Sequence, residues 1–241
     1  MNSDGNAEKP RSSEMNPGPG FRIKKTIERP NPELIRELRQ FATPEISDML
    51  NRLYTMTLEI KNQVNDLSIA GPACTVKVFP GDNLMVHKAL DVARPGDIIV
   101  VDASASTMTA VMGDLVASKA KSRGIQAFVI DGLVRDLPAV REVGMPVYAR
   151  GVTPIGPLHR GPGEINFPIS CGGIVVMPGD IIVGDGVGVV VVRSDFAENV
   201  IQRLKAVQSN LAEYVAQVKR GQFSNAWVDK LLEAGHCELF E

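Results

Sequence analysis

Soft metal ligands are scarce in this chain and poorly placed for one another. The three cysteines, Cys74, Cys171 and Cys237, are scattered, and no CxxC pair exists. An odd, dispersed set argues against a disulfide framework and a zinc–thiolate site, and it fits a reducing compartment. The three histidines, His87, His159 and His236, lie far apart, with no HExxH or similar spacing. Any metal is therefore expected on oxygen ligands. An excess of charge of one sign is also missing. A net charge of −2 over 241 residues gives no general attraction to nucleic acid or to an anionic membrane. No apolar run is long enough to span a bilayer. The N-terminus has no signal-peptide core, so a cytoplasmic protein with no nucleic-acid and no membrane partner is expected.

Apolar residues make up 44% of the chain, enough for a sizeable core. A disordered tail is expected over residues 1–20, which are rich in Asn, Ser, Gly, Pro and Glu, followed by a single domain over 21–241. Asn31-Pro32 and Thr43-Pro44 each place a capping residue before a proline, predicting two helices. Pro72 to Phe79 predicts a strand. Asp82 predicts a cap for a helix through Met85, Ala89 and Val92. The phrase Pro95-Gly96-Asp97-Ile98-Ile99-Val100 recurs as Pro178-Gly179-Asp180-Ile181-Ile182-Val183. It is either common turn chemistry or the mark of two related β-units meeting in one sheet.

Met112 to Ala120 predicts a helix, Ile125 to Ile130 a buried strand ending in an Asp131-Gly132 turn, and Asp136 to Val143 a short helix stopped by Gly144. Strands dominate from there to Val192. A long amphipathic helix then carries Val200, Leu204, Val207 and Leu211, and a last helix carries Trp227 and Leu231. Strands and helices mix without strict alternation. This predicts an α/β fold with mixed sheets, layered β/β/α, with helical N- and C-terminal segments, rather than a Rossmann order.

The chemistry concentrates in Gly113-Asp114-Leu115-Val116 and Arg135-Asp136. Gly113 lets backbone approach a ligand closely, and the helix it opens would aim the free amides of Leu115 and Val116 at an anion. Arg135 offers a planar fork for a carboxylate, and Asp136 offers hard oxygens for a divalent cation. Plainer readings carry comparable weight. Asp114 could only complement a helix dipole, Asp136 could only cap a helix, and Arg135 could sit in a solvated ion pair. Lys119 and Lys121 raise a Schiff-base alternative, Cys171 a nucleophile. The His159-Arg160-Gly161-Pro162-Gly163 loop covers the site, contacts a distal substrate carboxylate, or is ordinary surface.

These residues carry a resemblance. Gly113-Asp114-Leu115-Val116-Ala117, Arg123-Gly124, Val129-Ile130-Asp131-Gly132 and Arg135-Asp136 resemble the D-x20-R-D signature of the RraA-like family. Gly163-Glu164-Ile165-Asn166-Phe167-Pro168-Ile169 and Cys171-Gly172-Gly173 are similar to its aldolase branch, and the likeness runs from Thr43 to Val192. That branch holds the class II 4-hydroxy-4-methyl-2-oxoglutarate / 4-carboxy-4-hydroxy-2-oxoadipate aldolases. Another member is the regulator of ribonuclease activity A.

The resemblance implies a β/β/α swivelling-domain fold, assembly as a homotrimer or hexamer, and a small 2-oxo acid substrate. It places a divalent cation, Mg2+ or Mn2+, on Asp136, the pyruvyl group on Arg135 and on the backbone of Gly113, Asp114, Leu115 and Val116, and an ordered metal-bound water on Asp114. That water is the expected proton shuttle for the C4 hydroxyl. The implied activity is retro-aldol cleavage to pyruvate with oxaloacetate decarboxylation beside it. A dedicated decarboxylase and a non-catalytic ribonuclease regulator are the alternatives. Two departures stand out: Val116 where a second Leu is common, and Gly184-Asp185-Gly186 where an acidic run is common.

Overall fold

The computed structural model describes residues 15–240; residues 1–14 of the expected tail lie outside them. Within the described part, Gly18 accepts a hydrogen bond from Phe21 N at 2.8 Å, and Gly20 N donates to Glu164 Oε1 at 2.8 Å. The chain forms two compact units, one ending at Ile201 and the other beginning at Gln202. The boundary between the two units falls within the long helix that spans Ala197–Lys219.

In chain order the elements begin with β1 (Phe21–Ile23), α1 (Pro32–Leu38), α2 (Thr43–Met49), β2 (Lys61–Asn62), β3 (Ile69–Val78), α3 (Leu84–Val92), β4 (Ile98–Asp102) and β5 (Ala110–Met112). They continue with α4 (Asp114–Ser122), β6 (Ala127–Val134), α5 (Leu137–Val143), β7 (Val147–Val152), β8 (Gly163–Ile165), β9 (Ile169–Cys171) and β10 (Ile174–Val176). Last come β11 (Ile181–Gly184), β12 (Val189–Val192), a 3-10 turn at Ser194–Phe196, α6 (Ala197–Lys219) and α7 (Ala226–Ala234). Among the described residues, no helix is long and apolar enough to cross a membrane.

β3, β4, β6 and β7 run parallel through the middle of a mixed ten-stranded sheet. Their side chains alternate between two cores. Val76, Ile99, Val101, Phe128 and Ile130 pack with Met85, Ala89, Ala117, Ala120 and Val140 of the helices. Ala73, Ile98, Val100, Ala127 and Val129 pack with Cys171, Val176, Ile182, Val189 and Val191 of the second β layer. Burial on both faces explains why these strands read as unbroken aliphatic runs. The result is the β/β/α layering expected from the sequence. In the C-terminal unit, Val207, Leu211, Val218, Trp227 and Leu231 are exposed.

The two Pro-Gly-Asp phrases make the same turn. Gly96 and Gly179 both take φ +88°. Asp97 Oδ2 accepts from Arg94 N and Asp180 Oδ2 from Met177 N, each at 2.8 Å. Each carboxylate also meets an arginine, Arg29 for Asp97 and Arg193 for Asp180. The strands they launch flank β3, β4 in parallel and β11 antiparallel. The repeated phrase therefore does meet in one sheet.

Three local expectations change. β6 runs on to Val134, so Asp131-Gly132 is strand rather than turn. Asp131 is fixed by Arg150 and by Gly172 N, and Ala103 crosses over Gly132 where a Cβ would stand. The helix after Gly113 starts at Asp114, because Met112 belongs to β5. Thr43 does not cap α2; Ala42 holds that position, with Glu45 Oε2 accepting its amide at 2.9 Å. Thr43 instead donates its amide (2.9 Å) and hydroxyl (2.8 Å) to Asp185.

Burial works against the Asp185 charge, but hydrogen bonds from Thr43, Val187 and Gly188 outweigh it and hold its pKa below the usual value. A depressed carboxylate pKa adds stability above the unfolded-state value, about 3.9 for Asp, and that stability is lost as pH falls through the folded-state pKa. Thr43→Val should therefore cost about 1 kcal/mol at pH 7. In urea titrations the gap between variant and parent should shrink as the pH drops below the carboxylate range; a constant gap would refute this account of Asp185.

Candidate active site

The two halves of the motif meet through strand pairing. β5 and β6 are parallel neighbours with Met112 opposite Val134, so Gly113 and Arg135 follow side by side. Arg135 N donates to Met112 O at 3.0 Å and locks that register. No turn at Asp131-Gly132 is needed to bring the chain back.

Gly113 leaves no room for a side chain. A Cβ there would overlap Asp136 Oδ2 and come within 3.2 Å of Arg135 Cγ. A Cβ on Gly156 would come within 2.5 Å of Arg135 Nη1. The loop bearing Gly156 is held in place by Ala110 N, which donates to Ile155 O at 2.9 Å. The Arg135 side chain thus lies against two glycines, and a Cβ on either would fit only if a side chain moved. Gly113 also occupies the N-cap of α4 and makes no side-chain cap. Leu115 and Val116 are the second and third residues of that helix, where amides have no intrahelical acceptor.

Asp136 adopts φ +55° and ψ +34°, a left-handed conformation that costs a non-glycine residue about 1–3 kcal/mol. It stands at the N-cap of α5 yet makes no capping hydrogen bond. The plain helix-cap reading therefore fails. Its Oδ2 lies 3.1 Å from Arg135 Nε, and both side chains are 42% exposed. The ion-pair reading of Arg135 is thus correct as far as it goes, and the guanidinium still borders the cavity beside the pair.

That cavity, about 160 Å3, is lined by Gly113, Asp114, Leu115, Val116 and Arg135, joined by Asn83, His87, Met112, Pro157 and His159. It suits a small acid rather than a drug-sized ligand. Asp136 lies just outside this lining, on a neighbouring surface hollow that Arg135 shares.

Among the described residues, no group of three or more His, Cys, Asp or Glu could hold a metal ion. Asp136 presents hard oxygens directly against Arg135. One exposed carboxylate fits a Mg2+-like cation that keeps most of its ligands as water and substrate, and it does not fit a closed protein cage.

The other sequence candidates fall away. Lys119 and Lys121 are exposed, with Lys121 Nζ donating to Val143 O, and neither lines the cavity. Cys171 is fully buried. Burial first, then Asp131 and Asp102, push its thiol well above the usual value, so it is no nucleophile. Asn83 and His87 escaped the sequence reading. An Asp-Asn doublet ahead of an apolar helix was the only signal for Asn83; the N-cap of α3 is Asn83 rather than the expected Asp82, which stands one residue earlier and accepts from Leu84 N at 2.8 Å. His87 is half-buried; burial, then His159 and Lys119, hold its pKa below the usual value.

Comparison with known proteins now bears on this geometry. The family description RraA-like, Aldolase/RraA, matches residues 43–191. A Halalkalibacterium halodurans protein carrying the provisional name 4-hydroxy-4-methyl-2-oxoglutarate aldolase is 43% identical over 178 residues, 74% of this chain and 85% of the relative. The crystal structure of an uncharacterized Pseudomonas syringae protein superposes with TM-score 0.72 at 27% identity, covering 82% of this chain and 97% of that one. Streptomyces coelicolor RraAS2, described as an unusual member of the RNase ES inhibitor RraA family, superposes with TM-score 0.70 at 28% identity, over 80% and 99%. The matched span contains both halves of the motif and every residue of the cavity, and the chain belongs to the RraA-like family.

Proposed function

We propose that this chain is a divalent-metal-dependent lyase that cleaves 4-hydroxy-4-methyl-2-oxoglutarate, or a related 4-hydroxy-2-oxo acid, to pyruvate and a second oxo acid, with oxaloacetate decarboxylation as a side reaction. The observation that carries this reading is the seat of Arg135. Its guanidinium lies against Gly113 and Gly156, next to the start of α4 and the Asp136 carboxylate.

Each residue has a distinct task. The amides of Leu115 and Val116 and the Arg135 fork would bind the pyruvyl carboxylate, a planar anion that matches two parallel donors. Arg135 would also stand beside the oxygen on which charge develops as the carbon–carbon bond breaks, already oriented by its packing. A divalent cation held at Asp136 would supply Lewis-acid stabilisation of that charge. Asp114, at the first position of α4 and lining the cavity, would orient the water that shuttles the proton of the C4 hydroxyl and returns one to C3 of the enolate. Cleavage and decarboxylation give the same enolate, so one pocket serves both.

RraAS2 favours a second reading, a non-catalytic regulator of a ribonuclease. Such a role would need a protein-contact surface and would make no demand on Gly113.

Pyruvate release from 4-hydroxy-4-methyl-2-oxoglutarate should require Mg2+ or Mn2+ and vanish with EDTA or in Asp136→Ala. Release that survives EDTA and is trapped by borohydride would point to a lysine instead. No release, with tight binding to an RNA-processing enzyme, would favour the regulator. Gly113→Ala should lower kcat/KM about 100-fold by displacing Arg135 and Asp136. The steady-state kinetics of that variant, alongside its melting temperature, check this; parent-like kinetics would show that the close packing is not needed.

A further inference from the structure

The cavity has a second polar wall whose chemistry the pyruvyl end does not use. Asn83 is buried, and its Nδ2 donates to Val111 O at 2.9 Å. Its Oδ1 is therefore the amide's acceptor, and it lies 2.6 Å from His159 Nδ1. An acceptor at that distance requires a proton on Nδ1. In the neutral ring the proton is then on Nδ1 and the lone pair on Nε2. Leu158, the residue before His159, is pinned on both sides: Leu158 N donates to Gly81 O at 2.8 Å, and Asn83 N donates to Leu158 O at 3.0 Å. Arg160 N donates to Asp82 Oδ2 on the other side of His159. His87 packs edge-on against the imidazole with ring centres 5.5 Å apart. The ring is thus oriented by backbone, by a buried amide and by a neighbouring ring, as a group acting on a ligand needs to be.

Apart from the Asp114 carboxylate, the pyruvyl end of the cavity offers donors. Arg135 and the α4 amides are donors, suited to an anion. A bare imidazole nitrogen is an acceptor and a base, suited to a hydroxyl. We infer that His159 is a catalytic residue that takes the proton of the substrate's C4 hydroxyl on Nε2, with Asn83 as the positioning residue that fixes its tautomer. This rests on the lyase reading above.

The step balances. The hydroxyl proton moves to Nε2, the C3–C4 bond breaks with its electron pair passing to C3, and the C4–O bond becomes a carbonyl. The enolate takes a proton at C3 from the water at Asp114, and the hydroxide left behind is neutralised by the proton that the imidazolium gives up to solvent. Water at Asp114 then serves only the second transfer. Oxaloacetate has no C4 hydroxyl, and its decarboxylation offers His159 no such proton.

The test compares the two reactions in the same preparations. In His159→Phe, which keeps a ring beside His87, and in His159→Gln, which keeps an acceptor but not a base, the ratio of aldol cleavage to oxaloacetate decarboxylation should fall about 100-fold. An unchanged ratio, whether both rates fall together or neither moves, overturns the role of His159 and leaves the lyase reading intact. A parent protein inactive on both substrates overturns the lyase reading and this role with it. Nitrogen-15 NMR of the parent protein gives a readout independent of turnover: Nδ1 should be the protonated nitrogen, and a proton on Nε2 of the neutral ring contradicts the tautomer lock.

Discussion

Room for one guanidinium governs this site. Arg135 follows directly from a buried central strand, and its side chain lies against backbone at Gly113 and Gly156; a Cβ on Gly156 would collide with its guanidinium, and one on Gly113 with the Asp136 carboxylate beside it. The same Gly113 lets the Asp136 carboxylate approach the start of α4. A donor fork, a hard carboxylate and a helix N-terminus are thereby packed into one corner, with opposite charges side by side. Each feature is common on protein surfaces. Their compression around glycine gives them shared chemistry.

The compression depends on the sheet. β5 and β6 pair in parallel, so Gly113 and Arg135 leave neighbouring strands together, and α4 and α5 both start at the C-terminal ends of these strands. Two cores, one on each face, hold those strands with aliphatic side chains, each full burial contributing about 1.5–3 kcal/mol. A rigid sheet suits a site that must hold a small ligand to within a fraction of an ångström. The left-handed backbone of Asp136 is a local cost that such a scaffold can offset.

Much of this was legible in the chain. Gly113–Val116 and Arg135-Asp136 are short contiguous phrases, and a two-strand pairing is enough to join them. The unbroken aliphatic runs and the twin Pro-Gly-Asp turns likewise announced central strands. What escaped depends on contacts distant in sequence. Asn83 and His159 are 76 positions apart, and no local pattern links them. Asp131-Gly132 has the composition of a turn, yet Arg150 and the Gly172 amide hold Asp131 in a strand, and Ala103 occupies the space above Gly132. Thr43 has the chemistry of a cap, but Asp185, 142 positions away, is the stronger partner.

The account stands or falls on whether pyruvate binds with its carboxylate at Arg135 and its oxo group near a cation on Asp136. Deuterium exchange into the methyl group of pyruvate, followed by proton NMR in heavy water, tests this without any choice of aldol substrate. The account predicts exchange that needs Mg2+ or Mn2+ and is lost with EDTA, in Arg135→Met and in Asp136→Ala. No exchange in the parent protein, or exchange indifferent to EDTA and to both substitutions, would contradict it.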